Sequence, residues 1–124
     1  MKYLMVYKPT DVRNMEAGIP PCPEEIGRMG EFIQEMTAAG TLLASEGCLA
    51  TAKGAKVRVS NGKTAVIDGP FTESKELIAG LALVRTQSKE EAIALAERIL
   101  KIAGDGECEI RQIFDDTEAC HGPA

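Results

Sequence analysis

The stretch Lys56–Phe71, KVRVSNGKTAVIDGPF, carries the sharpest local signal in the chain. Apolar and polar residues alternate on both sides of Asn61-Gly62. Asn-Gly between two such runs predicts a two-residue type I′ hairpin, because both residues tolerate positive φ. In that register Val57 faces Val66 and Val59 faces Thr64 on one side. Arg58 and Lys63 lie on the other side, with Ala65 and Ile67. The hairpin ends in Asp68-Gly69-Pro70-Phe71. Glycine takes backbone angles that other residues resist, and proline fixes φ and removes a donor. A rigid corner with Phe71 as an aromatic plug is the simplest reading.

Upstream, Lys2 to Lys8 is apolar on both faces: Tyr3, Met5 and Tyr7 on one, Leu4 and Val6 on the other. Such a strand must be covered on both sides. Pro9 to Cys22 reads as a loop. Pro23 suits the first position of a helix, and Glu24 and Glu25 suit the positive end of its dipole. Ile26, Met29, Ile33 and Met36 step by three and four, which marks a buried stripe, and Gly40 is a natural stop. Leu42 to Ser45 is a short strand candidate, and Gly47 to Gly54 a loop.

Downstream, Gly80 to Arg85 reads as a strand without a polar side. Ser88 and Glu91 form a capping box. The helix that follows turns Ala92, Leu95, Ala96, Ile99, Ile102 and Ala103 inward. Glu107 to Phe114 is the last strand, and Asp115 to Ala124 a loose tail after a single domain over 1–114. Without the hairpin the order is βαββαβ, the α+β plan of ferredoxin-like folds. Two helices cover one face of such a sheet. The other face is apolar too, and a second copy of the chain is the simplest cover, giving a homodimer with an isologous interface.

Composition bounds the function. The chain has 124 residues, 44% hydrophobic and 27% charged, which fits one ordinary soluble domain. Nineteen acidic against fourteen basic side chains give a net charge of −5, poorly suited to nucleic acid. No apolar run is long enough for a membrane span or a signal peptide, so a cytoplasmic protein with no membrane partner is expected. Cys22, Cys48, Cys108 and Cys120 match no zinc or disulfide spacing. Cys48 and Cys108 read as small core or strand residues. Cys120-His121 in the tail is a weak metal pair, so neither metal nor cofactor is expected.

The densest chemistry is Asp68–Glu76, DGPFTESKE. Asp68 or Glu73 could accept a proton, and Lys75 could hold a carboxylate or enolate oxygen. Phe71, Arg58, Glu46 and Tyr7 are the accompanying ligand-binding candidates. The plain alternative is a structural corner flanked by solvated charges.

DGPFTESKE resembles the signature of the YCII-related family, in its DGPF branch. MKYLMVY, CPEE, LLASEG, VRVSNGKTAVIDGPF, GLALV and SKEEAIALAERI follow in the expected order, so the resemblance spans roughly residues 1–114. It implies a ferredoxin-like fold paired as a dimeric α/β barrel, and carries Asp68, Phe71, Glu73 and Lys75 over as site candidates. It also implies two kinds of role for an unknown small-molecule ligand. One is cofactor-free proton transfer or elimination, since one relative is a dehydrochlorinase. The other is a regulatory or protein-binding module, since some members are linked to sigma factors. Some relatives are suggested to use a histidine–aspartate pair. Here the lone histidine is His121, outside the resemblance.

Overall fold

The structure, a computed structural model, describes residues 1–71 and 76–114. Among the described residues six strands and three α-helices form a mixed α+β fold. The strands are β1 (Lys2–Pro9), β2 (Leu42–Gly47), β3 (Ala55–Ser60), β4 (Lys63–Asp68), β5 (Gly80–Arg85) and β6 (Gly106–Gln112). The helices are α1 (Arg13–Glu16), α2 (Pro23–Ala38) and α3 (Lys89–Ala103). Four strands make one sheet in the order β2-β5-β1-β6, and β3 and β4 make a separate two-stranded sheet. Every strand pair is antiparallel. Setting the hairpin aside, this order is consistent with a ferredoxin-like plan.

The local signals explain most boundaries. Asn61 and Gly62 have φ of 52° and 77°, as a type I′ turn requires. The hairpin register pairs Val57 with Val66 and Val59 with Thr64. Ser88 Oγ accepts the Glu91 N–H at 3.2 Å, while the Glu91 carboxylate reaches back past Ser88 to the Gln87 N–H, also at 3.2 Å. Pro23 opens α2, and Cys22 offers it no side-chain cap. At the far end Gly40 N–H bonds Thr37 O and Thr41 N–H bonds Met36 O, a Schellman closure.

Short turns appear inside both segments that read as loops. In α1 the Asp11 carboxylate accepts the Arg13 N–H at 3.0 Å and pairs with its guanidinium at 2.6 Å. A 3₁₀ turn occupies Thr51–Lys53. Neither is long enough to show hydrophobic periodicity.

The core lies between the sheet and the pair α2 and α3. Tyr3, Met5, Leu42, Ala82 and Val84 meet Phe32, Met36, Ala92, Leu95 and Ala96. One expectation about α2 needs correcting. Ile26 is 54% exposed, whereas Phe32, outside the expected stripe, is 6% exposed. At 3.6 residues per turn Met36 lies about 40° around the helix from Phe32, and Ile26 about 120°. The aromatic ring centres the stripe and leaves Ile26 at its margin. Cys48 is likewise exposed rather than a core residue, while Cys108 is half-buried on β6.

The sheet's other face carries Leu4, Val6, Leu81 and Leu83, with Leu4 opposite Leu83 and Val6 opposite Leu81. β6 makes the same face ionic. Glu107, Glu109 and Arg111 stand opposite Lys8, Val6 and Leu4. Lys8 Nζ bonds Glu109 at 2.9 Å and Glu76 at 3.4 Å, and Arg111 reaches Glu109 at 3.3 Å. Those partners hold the Lys8 ammonium above its usual pKa, chiefly through the bond to Glu109, and hold Glu109 below the usual carboxylate value. Among the described residues no helix is long and apolar enough to cross a membrane.

Candidate functional site

The DGPF corner is anchored by a residue cluster that crosses three segments. The Gly69–Pro70 peptide is cis. Gly69 N–H donates to Gly54 O at 3.0 Å. A Cβ on Gly69 would sit 1.7 Å from Thr51 O, so the close approach of two backbones admits only glycine. The Thr51 hydroxyl accepts the Phe71 N–H at 2.9 Å and donates to Glu16 Oε2 at 2.5 Å. Glu16 Oε1 also accepts the Thr51 N–H, at 2.9 Å. Phe71 is half-buried, with the Lys56 ammonium 4.5 Å from its ring centroid. The corner is therefore tied down by backbone contact and by a carboxylate–hydroxyl–amide chain. Glu16 and Thr51 carry this arrangement without any sequence signal, because they lie 35 residues apart.

A different part of the molecule holds an apolar concavity. A cavity of about 380 Å³ lies between the helices and one end of the sheet. Met5, Met29, Phe32, Ile33, Leu42 and Ile99 give it an apolar body, and Tyr7, Glu25 and Ser45 supply polar groups; Glu46 borders it from β2, where it stands opposite Leu81 and so shares the open face of the sheet. Tyr7 stands on the helix-side face of β1. Gly106 permits that placement, since a Cβ there would come within 2.8 Å of the Tyr7 ring. The Tyr7 hydroxyl faces the end of α3, with Ala103 O at 3.3 Å, Gly104 O at 3.2 Å and Asp105 O at 3.4 Å. Its single proton serves one of these carbonyls at a time. Burial, then the negative charges of Glu25 and Asp105, push the Tyr7 phenol above its usual pKa. It remains a neutral donor and acceptor through the physiological range.

The candidates named from sequence separate in space. Tyr7 and Glu46 line this cavity. Arg58 lines a shallow groove on the hairpin with Ser60, Asn61, Lys63, Thr64 and Ala65. Asp68 is exposed at the hairpin's end, opposite Ala55, and Phe71 packs at the corner. Glu73, Lys75 and the Cys120-His121 pair lie outside the described residues. Glu25, Phe32 and Met29 are cavity residues that site reasoning missed, though CPEE placed Glu25 in the first turn of α2. Among the described residues no cluster of three His, Cys, Asp or Glu side chains could hold a metal ion.

The order of elements, the corner and the hairpin coincide with a match to the YCII-related domain over residues 1–116. The chain belongs to the YCII-related family. No curated protein matches it. The match encloses both the corner and the cavity of this YCII-related protein, and His121 falls beyond it.

Proposed function

We propose that this YCII-related protein is a small-molecule-binding homodimer whose ligand enters the cavity between sheet and helices. The observation that carries the reading is the cavity itself. It has about 380 Å³ of space, a mostly apolar lining and a few polar residues. That volume and lining support a ligand site over a packing defect. Substitution of Ala103, which lines the cavity from the last turn of α3, by Leu should narrow it. Ligand-observed NMR against a fragment library should show binders for the wild type that the folded Ala103→Leu protein no longer takes. Absence of any binder for the wild type would remove the reading.

Pairing of two copies, as a dimeric α/β barrel of the DGPF branch, is supported by the apolar half of the open sheet face. Leu81 there is 40% exposed, and Val57, Val59 and Val66 on one face of the hairpin are 68%, 66% and 64% exposed. Water contact on that scale favours a covering partner. Light scattering at micromolar protein should give twice the chain mass of 13.3 kDa.

Chemistry on the ligand is read as cofactor-free proton transfer or elimination. Glu46, which borders the cavity together with Glu25, is one candidate base. Asp68, with Glu73 and Lys75, is the alternative base. A well-folded Asp68→Asn protein with unchanged turnover, beside an inactive Glu46→Gln protein, would assign the role to Glu46. A purely regulatory module is favoured instead if both variants bind ligand normally and neither they nor the wild type transforms it.

A further inference from the structure

The open face of the four-stranded sheet is charged toward both ends and apolar between them. Strand alternation puts Lys2, Leu4, Val6 and Lys8 of β1 on this face. Pairing adds Leu81, Leu83 and Arg85 from β5, and Glu107, Glu109 and Arg111 from β6. Glu46 joins from β2, opposite Leu81. The end at Lys8 holds Glu46, Glu107 and Glu109, and Glu76 reaches the Lys8 ammonium there at 3.4 Å. Four carboxylates thus stand against one ammonium. Toward the other end lie Lys2, Arg85 and Arg111, and the paired rows they occupy carry no carboxylate. The face therefore has a negative end and a positive end, separated along the strands.

Two copies laid open face to open face have two ways to obey a two-fold axis. An axis along the strands sets each end on the same end of the partner and β6 over β2. Glu109 then meets the partner's Glu46, and like charge gathers at both ends. An axis across the strands, between the rows of Leu4 and Val6, sets each end on the opposite end and β6 over β6. Leu81 then meets the partner's Leu83, Val6 the partner's Leu4, and Glu109 the partner's Arg111. Facing sheets lie about 10 Å apart, close to the Debye length of about 10 Å at 0.1 M salt, so the end charges are felt across the gap. We propose that a second copy covers the open face in the crosswise arrangement, with reciprocal contacts between Glu109 and Arg111. This rests on the reading of the protein as a homodimer and fixes the geometry of that pair. Apolar burial holds the two faces together, and the charged ends choose their orientation.

The test uses Glu109→Arg and Arg111→Glu, each made in the full chain and checked for folding by circular dichroism. In a crosswise pair of either variant, positions 109 and 111 of both copies carry one sign of charge. Each variant alone should dimerise roughly tenfold more weakly than wild type at low salt. Mixed in equal amounts, a cationic β6 meets an acidic one, and native mass spectrometry should show the heterodimer well above its statistical share. The like charges within each chain persist on mixing, so only contact between chains produces that excess. Wild type gives a second measurement that needs no variant to fold. Its dimer dissociation constant should rise between about 0.01 M and about 0.15 M salt, as the attraction between opposite ends is screened. A statistical mixture of the variants overturns the crosswise arrangement and leaves the homodimer standing. So does a wild-type constant that falls with salt, or a Glu109→Arg protein that pairs more tightly than wild type, its new guanidinium facing the partner's Glu46. A wild type that stays a monomer at micromolar concentration overturns the arrangement and the homodimer reading together.

Discussion

Replacing Thr51 by Val tests whether the DGPF corner is held by its hydrogen-bond chain. Valine keeps the shape of the side chain and removes the hydroxyl alone. Two bonds go with it: the one donated to the Glu16 carboxylate and the one accepted from Phe71 N–H. A hydrogen bond to a charged group contributes about 1.5–3 kcal/mol and a neutral one about 0.5–1.5 kcal/mol. Their sum is about 2–4.5 kcal/mol. Thr51 is half-buried, and Glu16 keeps its bond from Thr51 N–H, so water recovers part of the loss. A net destabilisation of about 2 kcal/mol is expected. Urea unfolding followed by circular dichroism at one fixed protein concentration measures it. Thr51→Ser retains the hydroxyl and should lose under about 1 kcal/mol. Hydrogen exchange supplies a local check, since the Phe71 amide should lose protection in Thr51→Val and keep it in Thr51→Ser. If Thr51→Val unfolds at the wild-type midpoint with Phe71 still protected, the chain from Glu16 to Phe71 is not what fixes the corner.

Gly69→Ala would press its new methyl group against Thr51 O, with the Cβ 1.7 Å from it. A loss of about 3 kcal/mol or failure to fold is expected, read from the same urea titration. Phe32→Ala should destabilise by about 3–5 kcal/mol and Ile26→Ala by under about 1 kcal/mol, because the first ring is buried and the second side chain is at the stripe's margin. Lys8→Met should remove a stabilising effect that depends on pH. Glu109 is lowered from an ordinary value of 4.5, so its part is present above that pH and is lost as pH falls through the folded value. Lys8 is raised from 10.5, so its part is present below that pH and is lost as pH rises through the folded value. The stability difference between wild type and Lys8→Met should be flat between these pH values and shrink on either side. A difference that does not change down to pH 3 would show that the ion pair is not its source.

What could be read from the sequence is what depends on neighbours in the chain. Asn61-Gly62 fixes its own turn, Ser88 and Glu91 meet across one turn of helix, and a two-period strand declares which side chains share a face. The open apolar face followed from Leu4, Val6, Leu81 and Leu83 for that reason. Its ionic half did not, because Lys8, Glu76 and Glu109 meet only after β6 pairs with β1 and the chain beyond the corner returns to the sheet. The same limit explains the site. DGPFTESKE drew attention because its groups are crowded along the chain, and crowding along a chain says little about convergence in space. Tyr7, Glu25 and Glu46 are spread across the first half of the sequence, and each is ordinary alone. Strand pairing and the packing of α2 and α3 bring them to the border of one cavity. The corner and the cavity thus divide the work. Glu16, Thr51, Gly69 and Phe71 hold the backbone that leaves the hairpin. The strand β5 that this backbone feeds then supplies Gly80, Leu81 and Ala82 to the wall of the cavity. A variant that loosens the corner should therefore disturb the cavity through β5, whereas Ala103→Leu should change what the cavity binds without moving the corner.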